Sequence, residues 1–301
     1  MAEGLLAWGW AGLVGLIWIG LSVGSFVNVV IHRLPIMLQR QWRQEASAIL
    51  ESHSQCATSR PEQELRSTSG AAGESAFNLM VPRSHCPHCK HTIRANENIP
   101  VVSWLALRGR CAKCRHPISV RYPVVELTTA LLSVMVVATF GFTPLALGAL
   151  VYTWALIALT GIDFDTQLLP DPITLPLLWL GLIIAASGYG LIAASDAILG
   201  AACGYGLLWA VYWGFRLATG KEGMGYGDFK LLAAIGAWLG WQVLPGILLV
   251  AAAGGLAWAL GLSLIGRRGA GQPIAFGPFL ALGGWIALVA RDTVVAFLQP
   301  I

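Results

Sequence analysis

Seven stretches of this chain are apolar over about 17 residues or more, the length at which a helix can cross a bilayer. They are Leu5–Ile31, Val124–Phe142, Pro144–Ile162, Ile173–Ile192, Ala197–Phe215, Val243–Ile265 and Ile274–Ala290. In hydrocarbon no water is present to bond the peptide groups, so each segment must satisfy them internally as a helix. Phe229–Leu239 is also apolar but short, and Gly240-Trp241-Gln242 after it reads as a break. It counts as an eighth helix, short or half-buried. The expected fold is therefore an all-α polytopic membrane protein of about eight transmembrane helices. Composition agrees: 56% of residues are hydrophobic and 11% charged, against about 25% charged in ordinary soluble domains. Leu5–Ile31 has no positive n-region and no evident small-residue cleavage site, and it is long for a signal peptide, so it is expected to be retained as the first helix.

Charge then sets the orientation. All six His, and 13 of the 19 Lys and Arg, fall between His32 and Arg121. Basic loops stay cytosolic. With that loop inside and the remaining spans threaded alternately, Arg216, Lys221, Lys230, Arg267 and Arg268 also fall inside, and only Arg291 falls outside. Both termini are expected to face away from the cytosol. The division expected is residues 1–35 as first helix and motif, 36–123 as cytosolic loop, and 124–301 as the main membrane domain. Within the loop, Gln44–Gly73 is rich in Ser, Glu, Gln, Ala and Gly without hydrophobic period, and reads as a flexible insertion. No internal repeat is expected.

Residues 81–121 differ, because they carry two C-x-x-C pairs, Cys86/Cys89 and Cys111/Cys114. Two such turns offer four thiolates, enough to close a tetrahedron around a structural Zn2+ in a small zinc-ribbon-like domain between helices 1 and 2. Thiols stay reduced in the cytosol, which disfavours disulfides. A unit this small cannot bury much core, so a metal would hold it together. The other readings are unligated thiols or a redox pair. His85, His88, His91 and His116 are possible ligands but are not needed. Cys56 and Cys203 stand alone.

Acids inside apolar segments are expensive and mark function. Topology brings two groups to the same membrane face: Asp163, Asp165 and Asp171 after the third span, and Glu222 and Asp228 after the fifth. Asp228 closes Gly223-Met224-Gly225-Tyr226-Gly227, where glycines permit close chain approach. A simpler reading makes Asp228 a helix cap and Gly161–Asp171 a polar turn. Two carboxylates sharing a site cannot both ionise cheaply, so such a pair shares one proton and can act together as acid and base.

The motifs together resemble the bacterial type IV prepilin peptidases. Gly225-Tyr226-Gly227-Asp228 matches the G-x-G-D signature of that aspartic-protease class. Asp163 with Leu169-Pro170-Asp171 matches the family's first aspartate motif, and Gly24-Ser25-Phe26-Val27-Asn28-Val29-Val30-Ile31-His32-Arg33-Leu34-Pro35 its N-terminal motif. The paired C-x-x-C, Glu97–Pro100, Arg121–Glu126 and Phe276-Gly277-Pro278-Phe279 also fit, in the family's order. About Arg43–Ala76 nothing matches. The resemblance implies a two-activity enzyme of the bacterial inner membrane. It would cleave the basic leader from type IV prepilins and type II secretion pseudopilins with Asp163 and Asp228. It would then methylate the new amine with S-adenosylmethionine, in a region that by resemblance involves Gly24–Pro35 and the zinc domain, with no ligand nameable. Asp171 or Glu222 are candidates for binding basic leader residues. Anionic lipid suits the basic loop, and no nucleic-acid partner is expected.

Two other classes stay in view. A transporter could use intramembrane Asp as a proton relay, but it should show repeated halves and mid-membrane acids. An assembly scaffold could use the zinc ribbon to hold partners, but it leaves G-x-G-D unexplained. Reporter fusions test the topology that the enzyme reading needs: those after Ser69 and after Gly220 should read cytosolic, and one at the C-terminus extracytoplasmic. An extracytoplasmic signal at either of the first two sites would mean that a helix has been miscounted.

Overall fold

A computed structural model describes residues 9–57, 77–221, 223–265 and 274–298. Leu5–Trp8, residues 58–73, Glu222, Arg267 and Arg268, which figure in the sequence reading, lie outside the described residues. The ten α-helices among the described residues are α1 (Gly9–Ala57), α2 (Val102–Ala106), α3 (Arg121–Phe140), α4 (Pro144–Thr166), α5 (Asp171–Ala186), α6 (Ala194–Thr219), α7 (Tyr226–Leu239), α8 (Leu244–Leu264), α9 (Gly277–Val289) and α10 (Arg291–Leu298). Five segments are long and apolar enough to cross a membrane: α1, α3, α4, α6, and α8 with the 3-10 turn that leads into it. The other three expected spans are shorter: α5 has 16 residues, α7 has 14 and α9 has 13. Gly240, with φ +87, makes the expected break after α7.

The first helix is longer than expected. It runs 49 residues with Pro35 inside it, about 73 Å at 1.5 Å per residue. Residues 44–57 continue this helix where an irregular insertion was expected. The composition explains it: Gln, Glu, Ala and Leu are good helix formers. Adding residues to an existing helix is also far cheaper than starting one. Gln41 Nε2 donates to Glu45 Oε1 at 2.9 Å, one turn apart. Pro35 deprives the Ile31 carbonyl of its bond without ending the helix.

Glycines set how closely the helices pack. Gly20 and Gly24 form a G-x-x-x-G face on α1, the spacing that lets membrane helices touch backbone to backbone. A Cβ added at either would lie 2.6 Å from a backbone Cα of α3, that of Ala130 or Glu126. Helix α4 starts at a Thr143 cap, whose hydroxyl accepts the Ala146 N–H at 3.1 Å. It packs on α1 through Val27, Ile31, Ala158 and Ile162. Trp154 Nε1 donates to Ser133 Oγ at 2.9 Å, tying α4 to α3.

Helix α7 occupies the centre. From Asp228 to Leu239 every residue but Lys230 is buried, as suits a helix apolar on all sides. Gly200 of α6 and Gly236 of α7 meet backbone to backbone. Trp238 packs against Gly148 and Gly181 and donates to the Leu177 carbonyl at 2.9 Å, so one side chain locks α4, α5 and α7 together. Helix α9 reaches both α4 and α7. Gly236→Ala should therefore cost about 1–3 kcal/mol by overpacking, seen as a lower thermal midpoint in detergent. Gly206→Ala, with no atom within 4 Å of the added carbon, should leave that midpoint unchanged.

Candidate functional site

Asp163 lies in the last turn of α4, where Gln167 turns left-handed (φ 54) and its N–H closes on the Asp163 carbonyl at 2.9 Å. A carboxylate at a helix C-terminus faces the negative end of the helix dipole. Here the chain supplies a compensating donor: the N–H of Gly277, first residue of α9, bonds Asp163 Oδ2 at 2.9 Å. A Cβ at Gly277 would fall 2.7 Å from that oxygen. Asp228 lies in the first turn of α7, and the Gly225 N–H reaches its carboxylate. Both side chains are buried, at 4% and 8% exposure, and they are close enough for the Asp163 charge to act on Asp228. Two helix N-termini, each a partial positive charge, thus serve two buried carboxylates. Leu169 lies against both Gly227 and Gly277.

The remaining acids have other partners. Arg121 Nη1 meets both oxygens of Asp165 at 2.6 Å, and its Nη2 donates to the Gly161 carbonyl at 3.1 Å. Lys230 Nζ bonds Asp171 at 2.7 Å. Asp228 is the third residue of its helix rather than the cap. It does accept the N–H of Gly225, the cap residue, but that bond does not account for its burial beside a second carboxylate.

The sulfurs of Cys86, Cys89, Cys111 and Cys114 all lie within 4.8 Å of one another. The Cys86–Cys114 and Cys89–Cys111 separations are 3.8 and 4.0 Å. A tetrahedron of metal–sulfur bonds of about 2.3 Å has edges of about 3.8 Å, so the cluster fits one metal ion. Each pair sits in the same turn. The N–H groups of Cys86 and Cys111 bond the carbonyls of His91 and His116 at 2.9 Å, and Lys90 and Arg115 are left-handed. The turns repeat in sequence as C-x-x-C, a basic residue, then His, so a short internal repeat is present where none was expected. The backbone N–H of Cys89 brings the Cys86 thiol down to about 7. Cys114 goes up to about 12: the His116 N–H lowers it, but burial and the neighbouring sulfurs outweigh that. No histidine joins the cluster among the described residues. His88 and His116 stack with ring centres 4.9 Å apart, and His91 Nε2 pairs with Glu97 at 3.1 Å.

Residues 18–140 match the model of the bacterial peptidase A24 N-terminal domain, and residues 150–260 that of the type IV leader peptidase family. The chain is 52% identical to a prepilin leader peptidase/N-methyltransferase of Aeromonas hydrophila, over 98% of this chain and 95% of that protein. The like-named proteins of Stutzerimonas stutzeri and Pseudomonas aeruginosa are 53% and 51% identical over 92% of this chain and 90% and 89% of theirs. The chain belongs to the type IV leader peptidase family. No solved structure matches it.

Within this leader-peptidase framework, three contacts escaped the sequence reading. Arg33, buried on α1, donates to the carbonyls of Asn78, Leu79 and Pro82 at 3.0, 3.3 and 2.7 Å. Asn28 Nδ2 donates to the Tyr122 carbonyl at 3.1 Å. Glu126 accepts the Val101 N–H at 2.7 Å and is bonded by the Ser25 side chain. Each starts from a residue of a quoted motif, and the Asn28–Tyr122 bond joins two of them. The signal available was a polar residue inside an apolar helix, which flags a partner without naming it.

Proposed function

We propose that this leader-peptidase family member cleaves prepilin and pseudopilin leaders at the cytosolic face of the bacterial inner membrane and then methylates the exposed amine. The observation that carries the reading is the buried Asp163–Asp228 pair, met by backbone N–H groups while Asp165 and Asp171 are engaged by Arg121 and Lys230. One carboxylate is ionised and takes a proton from water, which attacks the scissile carbonyl. The other carries a proton and donates it to the carbonyl oxygen. Collapse of the tetrahedral intermediate expels the amine, which takes up a proton in turn. No covalent intermediate is needed. The short helices α5, α7 and α9 and the helix ends around the pair suit a site near the membrane surface, where water enters and the substrate's apolar helix stays in lipid.

The four cysteines hold a structural Zn2+ whose closed shell leaves no open position for substrate. S-adenosylmethionine supplies an electrophilic methyl group from its sulfonium. Among the described residues there is no strand–loop–helix unit of nucleotide-binding type, so the methyl-transfer region is assigned to Gly24–Pro35 with the zinc domain. Residues 1–35, 36–123 and 124–301 are the three working parts. A transporter reading finds no support in the family match or in acids gathered at helix ends.

Asp163→Asn and Asp228→Asn should each lower leader cleavage at least about a thousandfold, while Asp165→Asn should stay within about threefold of wild type. A gel assay of purified enzyme with a prepilin measures this, and full cleavage by either of the first two variants would sink the assignment. Elemental analysis after reducing, chelator-free purification should find one zinc per chain, with absorption spectroscopy giving sulfur distances of about 2.3 Å. Cys86→Ser should lose the metal and lower thermal stability and methylation more than cleavage. Asp163→Asn with Asp228→Asn should keep the metal. A zinc content near zero in the wild type would reject the zinc reading.

A further inference from the structure

Among the described residues, hydrolysis by the aspartate pair leaves one buried acid without a task. Glu126, 7% exposed, lies in the first turns of α3. The two family models divide the chain: residues 150–260 hold both aspartates, and residues 18–140 hold Glu126. Two segments meet at its carboxylate. Ser25 comes from α1, beside Gly24, which lies against the Glu126 backbone. Val101 follows directly on the Glu97–Pro100 motif and donates its N–H at 2.7 Å. Arg121, one turn and a half before Glu126, holds Asp165 and the Gly161 carbonyl at the Asp163 end of α4.

Val101 shows why the carboxylate matters. It is the centre of a tight turn closed by the Val102 N–H on the Pro100 carbonyl, with φ 60 and ψ −48. A β-branched residue almost never adopts a positive φ, and such a turn persists only where its surroundings enforce it. The Glu126 carboxylate accepts the N–H of that strained residue, and Ser103 Oγ accepts the Ile99 N–H and donates to the Asn96 carbonyl beside it. At the other end of the segment the Glu97 carboxyl is held below the usual range, first by the Arg94 N–H and then by His91, so it too is engaged locally. The segment from Glu97 to Val101 is therefore held at both ends, by Arg94 and His91 at Glu97 and by Glu126 of α3 at Val101.

We propose that Glu126 is a positioning residue for methyl transfer: it fixes the Glu97–Val101 turn against Ser25 of α1, and that turn forms part of the surface receiving the amine released at the aspartates. The proposal rests on the two-activity reading above. Glu126 does not touch the reacting atoms; it sets the shape of the chain that does.

The test uses full-length enzyme in detergent, a prepilin and labelled S-adenosylmethionine, with cleavage and methylation followed in parallel. Glu126→Ala should lower the methylation kcat about 100-fold by misplacing the turn, with cleavage within about twofold of wild type. Amide hydrogen exchange over residues 99–103 of the free enzyme should speed up in the same variant. Glu126→Gln keeps an oxygen for the Val101 N–H and should restore methylation to within about tenfold of wild type. Parallel loss of both activities in folded Glu126→Ala, or no loss of methylation, overturns the proposal. If Glu126→Ala fails to fold, Ser25→Ala decides: a drop in methylation alone supports the proposal, and unchanged methylation overturns it. A wild-type enzyme that neither cleaves nor methylates would instead fail the two-activity reading itself.

Discussion

A carboxylate buried among apolar helices needs hydrogen-bond donors, and in this molecule they come from the starts of helices. Gly277 N–H serves Asp163 and Gly225 N–H serves Asp228. A helix start offers backbone N–H groups that no residue of the helix itself uses. Much of the architecture follows from this need. Helix α9 must start beside the last turn of α4, and α7 must start within reach of the same spot. Glycine at 277 is then required by contact with the carboxylate itself. The same donors favour a negative charge on these carboxylates, without a basic side chain that would neutralise it.

The brevity of α7 and α9 has the same origin. Helices α7 and α9 are mostly buried by their neighbours and need not reach the far side, whereas α5 is largely exposed. Helix α7 is walled in by α5, α6 and α9, so its ends are defined by packing rather than by lipid thickness. Its glycine-lined contacts, among them Gly200 with Gly236 and Gly227 with Leu169, leave little room for it to slide. The site thus sits on the most tightly held element of the fold, while α6 and α8, mostly lipid-facing, contribute span rather than chemistry.

Much of this was legible in the sequence, for physical reasons that can be named. Apolar length and basic asymmetry report on solvent, and solvent is the same for every bundle, so the helical membrane class could be read directly. The cysteine pairs were legible because metal geometry dictates spacing locally. Asp163 and Asp228 could be paired because alternation of spans limits which loops share a face. What could not be read depends on tertiary contact. Residues 44–57 join α1 because a long helix precedes them, which composition alone undervalues. Gly277 stood inside a recognised motif, yet its donor role needs the end of α4 to be in place. Glu126 looked like one more residue of a motif until Ser25 and Val101 were found at its carboxylate. The repeat of the two cysteine turns was visible in the letters and was missed because its period spans an unrelated helix.

Leu169 touches the glycine that precedes Asp228 and the glycine that holds Asp163. It stands between two surfaces that have no side chain of their own to yield. Its bulk therefore acts as a gauge block for the gap between the carboxylates. A family of chains could widen or narrow that gap by changing one aliphatic side chain, leaving every polar group of the site untouched.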